Sequence, residues 1–407
     1  MVLVVATAGM GVLLAFVNAP STSAPHTLSL AATPSQPAGV WRDVGLSADE
    51  QIVFSRGAPQ TAYSCGIAHN TIVMHVTHDG GMSWRSLTFF TPIAGDLCVL
   101  AVDDTNPQHL ALMTRVTKPD PCLAAMCTPT PCADVCQTCI DYCPPPAQQT
   151  LTLYRSSDGG TTWQSSAPLP DGVHFTPEIA YVGATLYAWT DTWPALLASS
   201  VADGPFRLID LSAYFPQPQS GSPSPPYQGA THLWPVRGQL YLPIPGGDVP
   251  GGDLGNHYIL SGDGGQSWTS GTFTMDGDPV VLRPGSGLDG RTLMGERIHM
   301  TGFLVLSTDG GRTWQPSPAP YPDFSHYGLT QCYVAADGSF FWFNAFDANV
   351  GLGVFRAKAG ATAWTKLLGA PQIQDISVDL ASYDAAGHLV ALWGRQSRAA
   401  WVVYRLG

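Results

Sequence analysis

Ser307-Thr308-Asp309-Gly310-Gly311-Arg312-Thr313-Trp314 decides the reading of this chain, because the same pattern returns at three other places. They are Thr77-His78-Asp79-Gly80-Gly81-Met82-Ser83-Trp84, Ser156-Ser157-Asp158-Gly159-Gly160-Thr161-Thr162-Trp163 and Ser261-Gly262-Asp263-Gly264-Gly265-Gln266-Ser267-Trp268. The common form is [S/T]-x-D-G-G-x-[S/T]-W, and each part has a physical task. The Asp carboxylate accepts from nearby backbone N–H groups and closes a turn. The Gly pair supplies positive φ between antiparallel strands. The hydroxyls bond locally to backbone. Trp packs a large apolar ring as the next strand begins.

This pattern resembles the Asp-box (BNR) repeat of sialidases and related β-propellers, in which the box joins the third and fourth strands of a blade. The resemblance covers residues 40–407 and implies an all-β propeller. It implies no activity by itself, since one fold carries many functions.

Counting blades means aligning on the Trp after each box. Trp41 stands first without a box, and Trp84 follows 43 residues later. The interval from Trp84 to Trp163 contains a long insertion. The 105 residues from Trp163 to Trp268 need two repeats, and Ser199-Ser200-Val201-Ala202-Asp203-Gly204-Pro205-Phe206 is a degraded box midway. Trp364 follows a worn copy at residues 356–363. The last repeat has strands at 376–382, 388–393 and 401–405 only, and Trp41 begins a lone fourth strand. Pairing the two closes a ring and removes free edges. The expected fold is a seven-bladed β-propeller, with six blades as the alternative should Phe206 not mark a repeat.

Composition agrees. The 407 residues include 43 Gly and 35 Pro, and only 12% are charged, against about a quarter in ordinary domains. A net charge of -12 argues against nucleic acid as a partner. Residues 1–19 are apolar and uncharged over 2–17, and read as a signal peptide or a membrane anchor; a buried strand is the alternative. No basic residue precedes the run, and Val17-Asn18-Ala19 is followed by Pro20, so cleavage and anchoring both stay open. Residues 20–39 read as a Pro/Ser/Thr-rich linker. The expected location is extracytoplasmic, secreted or membrane-anchored.

The insertions, at 116–149, 212–229, 246–256 and several shorter loops, all fall between second and third strands or between blades. That places them on the face opposite the boxes, where loops on a rigid scaffold tend to carry binding. Cys122, Cys127, Cys132, Cys136, Cys139 and Cys143 crowd the first of these insertions. Disulfides are the first reading. A metal site is the alternative, because the last four have part of the spacing of an iron–sulfur ligand run. Cys65, Cys98 and Cys332 fall in expected strands and read as small buried hydrophobes.

A sialidase-like site needs an Arg triad for a carboxylate, a Tyr nucleophile with a Glu, and an acid. The family's Arg-Ile-Pro segment has no match here; Arg56-Gly57-Ala58-Pro59 stands in that region. The chain has three Glu, Glu50, Glu178 and Glu296. Candidate ligand-binding residues on the loop face are Trp193, Glu296, Arg297, His299, Tyr321, Tyr327, Arg395 and Arg398, with solvated loop charge as the plain alternative. Trp189, Tyr214, Phe215, Tyr227 and Phe324 extend the aromatic set, suited to sugars or to a protein, or to loop packing. Gly-Gly-Asp runs at 246–248 and 251–253 offer oxygen ligands for calcium or are plain Gly-rich loops. Asp79, Trp84, Asp158, Trp163, Asp263, Trp268, Asp309 and Trp314 are structural.

No catalytic residue, metal or cofactor is assigned. The expectation is a non-catalytic binding or scaffold module for a glycan or protein ligand on the loop face, with membrane contact through the N-terminal segment if it is uncleaved. The alternatives are a sialidase-like exo-glycosidase and an assembly factor. The latter follows from a resemblance in blade count and box density to propellers that help build photosynthetic membrane complexes.

Overall fold

The computed structural model describes residues 41–55, 58, 60–89, 92–103, 105–117, 149–166, 175–190, 195–200, 205–214, 233–236, 239–244, 257–282, 292–297, 303–317, 332–335, 337–344, 353–358, 361–367, 376–383, 389–396 and 400–405. The N-terminal segment, the linker and the Cys-rich insertion lie outside these residues. No helix occurs among them.

The described residues begin with β1 (Trp41–Ser47), which pairs with a strand from the other end of the propeller. Blade one is β2 (Gln51–Phe54), β3 (Ala62–Ala68), β4 (Thr71–Thr77) and β5 (Arg85–Leu87). Blade two is β6 (Leu97–Val102), β7 (Leu110–Thr117), β8 (Gln149–Ser156) and β9 (Gln164–Ser165). Blade three is β10 (Phe175–Val182), β11 (Thr185–Thr190), β12 (Ala195–Ser200) and β13 (Arg207–Asp210). Blade four is β14 (Trp234–Val236), β15 (Gln239–Ile244), β16 (His257–Ser261) and β17 (Thr269–Thr272). Blade five has an added inner strand, β18 (Thr274–Met275), before β19 (Asp278–Leu282), β20 (Leu293–Arg297), β21 (Phe303–Ser307) and β22 (Gln315–Pro316). Blade six is β23 (Cys332–Val334), β24 (Ser339–Asn344), β25 (Gly353–Lys358) and β26 (Thr365–Lys366). Blade seven is β27 (Ile376–Tyr383), β28 (Leu389–Gln396) and β29 (Ala400–Arg405), completed by β1 in the order β1-β29-β28-β27. The seven blades are those expected, and Trp41 pairs with Tyr404 across the closure.

Middle strands are buried on both faces, as sheets packed on two sides must be. Leu110, Ala111, Leu112 and Met113 of β7 are all fully buried. Outer strands are short and exposed; β9, β22 and β26 have two residues each, which leaves little edge for unwanted pairing.

Seven apolar clusters fill the seven interfaces, and each contains one aromatic that opens a fourth strand, after a box or a worn copy of one in six blades and without one at Trp41. Trp84 packs between blades seven and one, Trp163 between one and two, and Trp268 between three and four. Trp314, Trp364 and Trp41 serve the next three. Phe206 fills the slot between blades two and three, so the degraded copy is a true repeat. The ring always reaches back to the preceding blade.

One expectation is corrected. Cys65 and Cys98 are not separate buried thiols; they form a disulfide from β3 to β6, tying blade one to blade two. Both side chains lie in the same apolar cluster between the two blades. Closing a loop of 33 residues stabilises by roughly 3–4 kcal/mol on the chain-entropy account.

Candidate functional site

The boxes come first, because they set which face is free. In the first, Asp79 Oδ1 accepts from the backbone N of Met82 at 2.8 Å and of Ser83 at 3.0 Å, and Oδ2 accepts from Ser83 Oγ at 2.6 Å. Thr77 Oγ1 donates to Asp79 at 2.7 Å and accepts from Gly81 N at 3.0 Å. The same net is drawn at Asp263 and Asp309. Bonds from Ser267 and from Thr313 hold these two carboxyls down at about 2. Burial pushes Asp79 up, but bonds from Ser83 and Thr77 outweigh it and leave it lowered.

The second Gly of each box answers to its neighbour as well as to its φ. At Gly81, φ is +85° and an added Cβ would meet the Trp393 ring of blade seven at 1.9 Å. At Gly311 it would meet Phe273 at 2.2 Å. The box is therefore a joint between blades. Gly80 N donates to Gln60 O, and Gly159 N to Gln108 O, which places the turn between first and second strands on the box side. The opposite face carries the ends of the second strands and the loops that follow them.

On that open face, two ion pairs occupy equivalent places. Arg115, near the end of β7, donates from Nε to Asp96 Oδ1 at 2.9 Å, and Thr117 N donates to Oδ2 at 3.0 Å. Arg297, ending β20, donates to Asp278 at 2.7 Å from Nε and to Asp276 at 3.2 Å from Nη1. Asp276 and Gly277 both have positive φ, forming a tight β18–β19 hairpin that carries both carboxylates to the Arg. Each pair fastens the end of a second strand to the start of its first strand.

The sequence candidates are distributed as follows. Glu296 is buried, and Arg297 beside it points to the other face of the strand, as neighbours in a strand do. Arg395 lies on β28 of blade seven, two blades from Arg297, with its guanidinium 4.9 Å from the Trp401 ring centroid. Trp193, His299, Tyr321, Tyr327 and Arg398 lie outside the described residues, as do the six clustered Cys. Trp189 belongs to the core between blades three and four, and Tyr214 packs against the same cluster. Glu178 accepts from Leu233 N at 2.6 Å, leading the chain into blade four. Among the described residues, no group of His, Cys, Asp and Glu is arranged to hold a metal ion.

The structure also assembles a cluster that sequence reading missed. Glu50, Ser64 and His75 meet beside the closure. Ser64 Oγ donates to Glu50 Oε2 at 2.5 Å, and His75 Nδ1 lies 3.0 Å from the same oxygen and 3.2 Å from Ser64 Oγ. A serine relay needs the imidazole between hydroxyl and carboxylate on separate nitrogens. Here both crowd Nδ1, and Ser64 is fully buried, so the cluster is a structural tie. Burial pushes the Glu50 carboxyl up, but bonds from His75 and Ser64 prevail and lower it. Trp401 Nε1 of blade seven donates to Glu50 O at 2.8 Å.

Comparison with known proteins follows the geometry. The BNR/Asp-box repeat family matches residues 305–316. YCF48 from Cyanidioschyzon merolae is similar in structure at a TM-score of 0.52 and 11% identity, over 91% of this chain and 99% of that one. YCF48 bound to D1 peptide gives 0.52 and 11%, over 92% and 97%. A GH74 xyloglucanase from Xanthomonas campestris gives 0.43 and 12% over 88% of this chain and 59% of that one, too loose a likeness to bear on function. No protein of curated function matches in sequence. Box geometry, seven closed blades and the two YCF48 likenesses agree: the chain is a seven-bladed β-propeller carrying BNR/Asp-box repeats.

Proposed function

We propose that this propeller is an extracytoplasmic, non-catalytic binding module that presents its open face to a protein or peptide. The observation that carries this reading is the state of the open-face cations. Arg297 is engaged by Asp276 and Asp278, Arg115 by Asp96, and Arg395 is stacked on Trp401. Among the described residues such groups brace loops and do not converge on a substrate carboxylate. Three further facts support the reading. The long insertions leave from this braced face. The Cys65–Cys98 bridge suits an oxidising compartment. A protein of similar fold is known bound to a peptide.

The test uses photo-crosslinking residues placed singly at Val116 and Ile67, both exposed near the open ends of their strands, and at Thr161, exposed on the box side. Expected is a discrete protein adduct from the first two positions and none from Thr161. Adducts from Thr161 alone would move the binding face. Hydrolysis of an aryl sialoside or other aryl glycoside, abolished by Arg297→Ala in a folded variant, would overturn the non-catalytic part. A mature chain with Cys65 and Cys98 reduced in the cell would overturn the extracytoplasmic part.

A further inference from the structure

Each blade ends in an outer strand with one free edge, and an edge that is long, unbroken and apolar invites another strand. Six of the seven outer strands blunt that edge. β9, β22 and β26 have two residues each, with Pro316 in β22 and Lys366 in β26. β5 has three, of which Arg85 and Ser86 are exposed. β17 has four, Thr269, Ser270, Gly271 and Thr272, and no hydrophobic side chain. β1 is longer, but its register breaks between Asp43 and Ser47, and Asp43 is exposed.

β13 is the exception. Its four residues, Arg207, Leu208, Ile209 and Asp210, pair without a break with Ala198 to Ala195 of β12. It has no Pro, Gly, Lys or bulge. Leu208 is 43% exposed, one of three large hydrophobics so exposed among the described residues. It stands opposite the fully buried Leu197 and carries that apolar row out to the edge. Ile209 is buried. Arg207 Nη2 donates to Gly264 O at 2.9 Å, and Asp210 Oδ1 accepts from Ser212 N at 2.8 Å. Both ends of the strand are thus pinned, and a fixed edge loses little freedom on pairing. Among the described residues no strand lies beyond it.

The order of its residues selects the partner. Arg-Leu-Ile-Asp reads cation, apolar, apolar, anion. An antiparallel copy sets apolar centre on apolar centre, with the Arg end of each strand beside the Asp end of the other. A parallel copy in register would set like charge on like. A two-fold axis perpendicular to the sheet keeps every side chain on its own face, so opposed residues must share a face. Centring the pair on Leu208 meets that condition and covers the exposed side chain with its own counterpart.

We infer that β13 is a self-association edge through which two copies of this chain pair antiparallel, centred on Leu208. The contact lies on the outer rim of blade three and leaves the open face free for its own partner.

Sedimentation equilibrium of the full chain over a wide concentration range tests the dimer. Expected is a monomer–dimer equilibrium, weakened about tenfold or more by Leu208→Lys, which sets like charges opposite each other, with the melting point unchanged. Register is read from introduced thiols under a mild oxidant. Leu208→Cys gives a dimer linked between the two new cysteines, mapped by mass spectrometry, and Asp210→Cys does not. A parent that stays monomeric throughout overturns the inference and leaves the edge to a strand of another protein. A dimer indifferent to Leu208→Lys uses a different surface and also overturns it. Crosslinking through Asp210→Cys in preference to Leu208→Cys overturns the self-complementary register.

Discussion

The interface between blades four and five and the one between blades seven and one do the same packing job by different means. Both set the second Gly of a box against an aromatic ring of the preceding blade, Gly311 on Phe273 and Gly81 on Trp393. Between four and five the rest is apolar and local. Phe273 stacks on Tyr258 at 4.1 Å, Trp314 meets it edge-on at 5.5 Å, and Val280 N donates to Phe273 O. The chain itself delivers Phe273 there, between β17 and β18. Between seven and one, the covalent link runs only through β1, which leads by residues 48–50 into β2, while β27, β28 and β29 come from the other end of the chain. That seam adds directional polar ties: Trp401 to Glu50 O, and Arg405 Nη2 to the carbonyls of Asp79 and Gly80 at 3.1 and 2.7 Å. It also adds the β1–β29 pairing, with a bulge between Asp43 and Ser47. Where three of a blade's four strands come from the far end of the chain, hydrogen bonds of fixed direction hold the geometry.

The largest effect should come from removing β1. Deleting residues 41–47 takes away the only partner of β29 on that side and part of two apolar clusters. Expected is loss of the cooperative thermal transition; melting like the parent would mean that the seam does not need its strand. Next, Trp393→Ala should cost about 3–5 kcal/mol in urea unfolding, and Phe273→Ala should sit at the lower end of that range, because both of its blades are built from consecutive strands. Equal losses would erase the distinction between the two interfaces. A third change lies one blade from the seam. Cys65→Ser with Cys98→Ser should lower stability by roughly 3–4 kcal/mol and make the melting point indifferent to dithiothreitol. A variant still sensitive to reductant would place the governing disulfide elsewhere.

The smallest effect is acid dependence, and its sign is fixed. Asp309 titrates at about 2 when folded, below its ordinary 3.8. Its contribution is present above 3.8 and lost as pH falls through about 2. Glu50 is also lowered, so its contribution too is lost as pH falls through the folded value. Asp309→Asn and Glu50→Gln should each flatten the fall in stability over this acid range, at an interior box and at the seam respectively. An unchanged pH profile in either would show that its carboxylate does not differ between folded and unfolded chains.

The boxes were legible because each is a local motif whose residues bond to one another. Blade number followed from the Trp spacing, and even Phe206 was readable as a worn copy since a ring still fills the slot. The Cys65–Cys98 bridge and the Glu50–Ser64–His75 cluster were not legible, because they depend on which strands of which blades lie opposite. Trp189 was assigned to the loop face because it ends a second strand, yet its face of that strand points into the next blade. One signal went unused: Arg115 follows Asp96, and Arg297 follows Asp278, by the same 19 residues, a spacing set by strand-one-to-strand-two geometry.

Closure also has a consequence in time. Glu50 and Trp401 are 351 residues apart, so the first strand made is the last to find its partner. At synthesis rates of about 5–20 residues per second, β1 waits roughly 20–70 s beside a growing row of blades. The Cys65–Cys98 pair, only 33 residues apart, can lock blades one and two early in that interval. The far edge of blade one then stays in place until blade seven arrives.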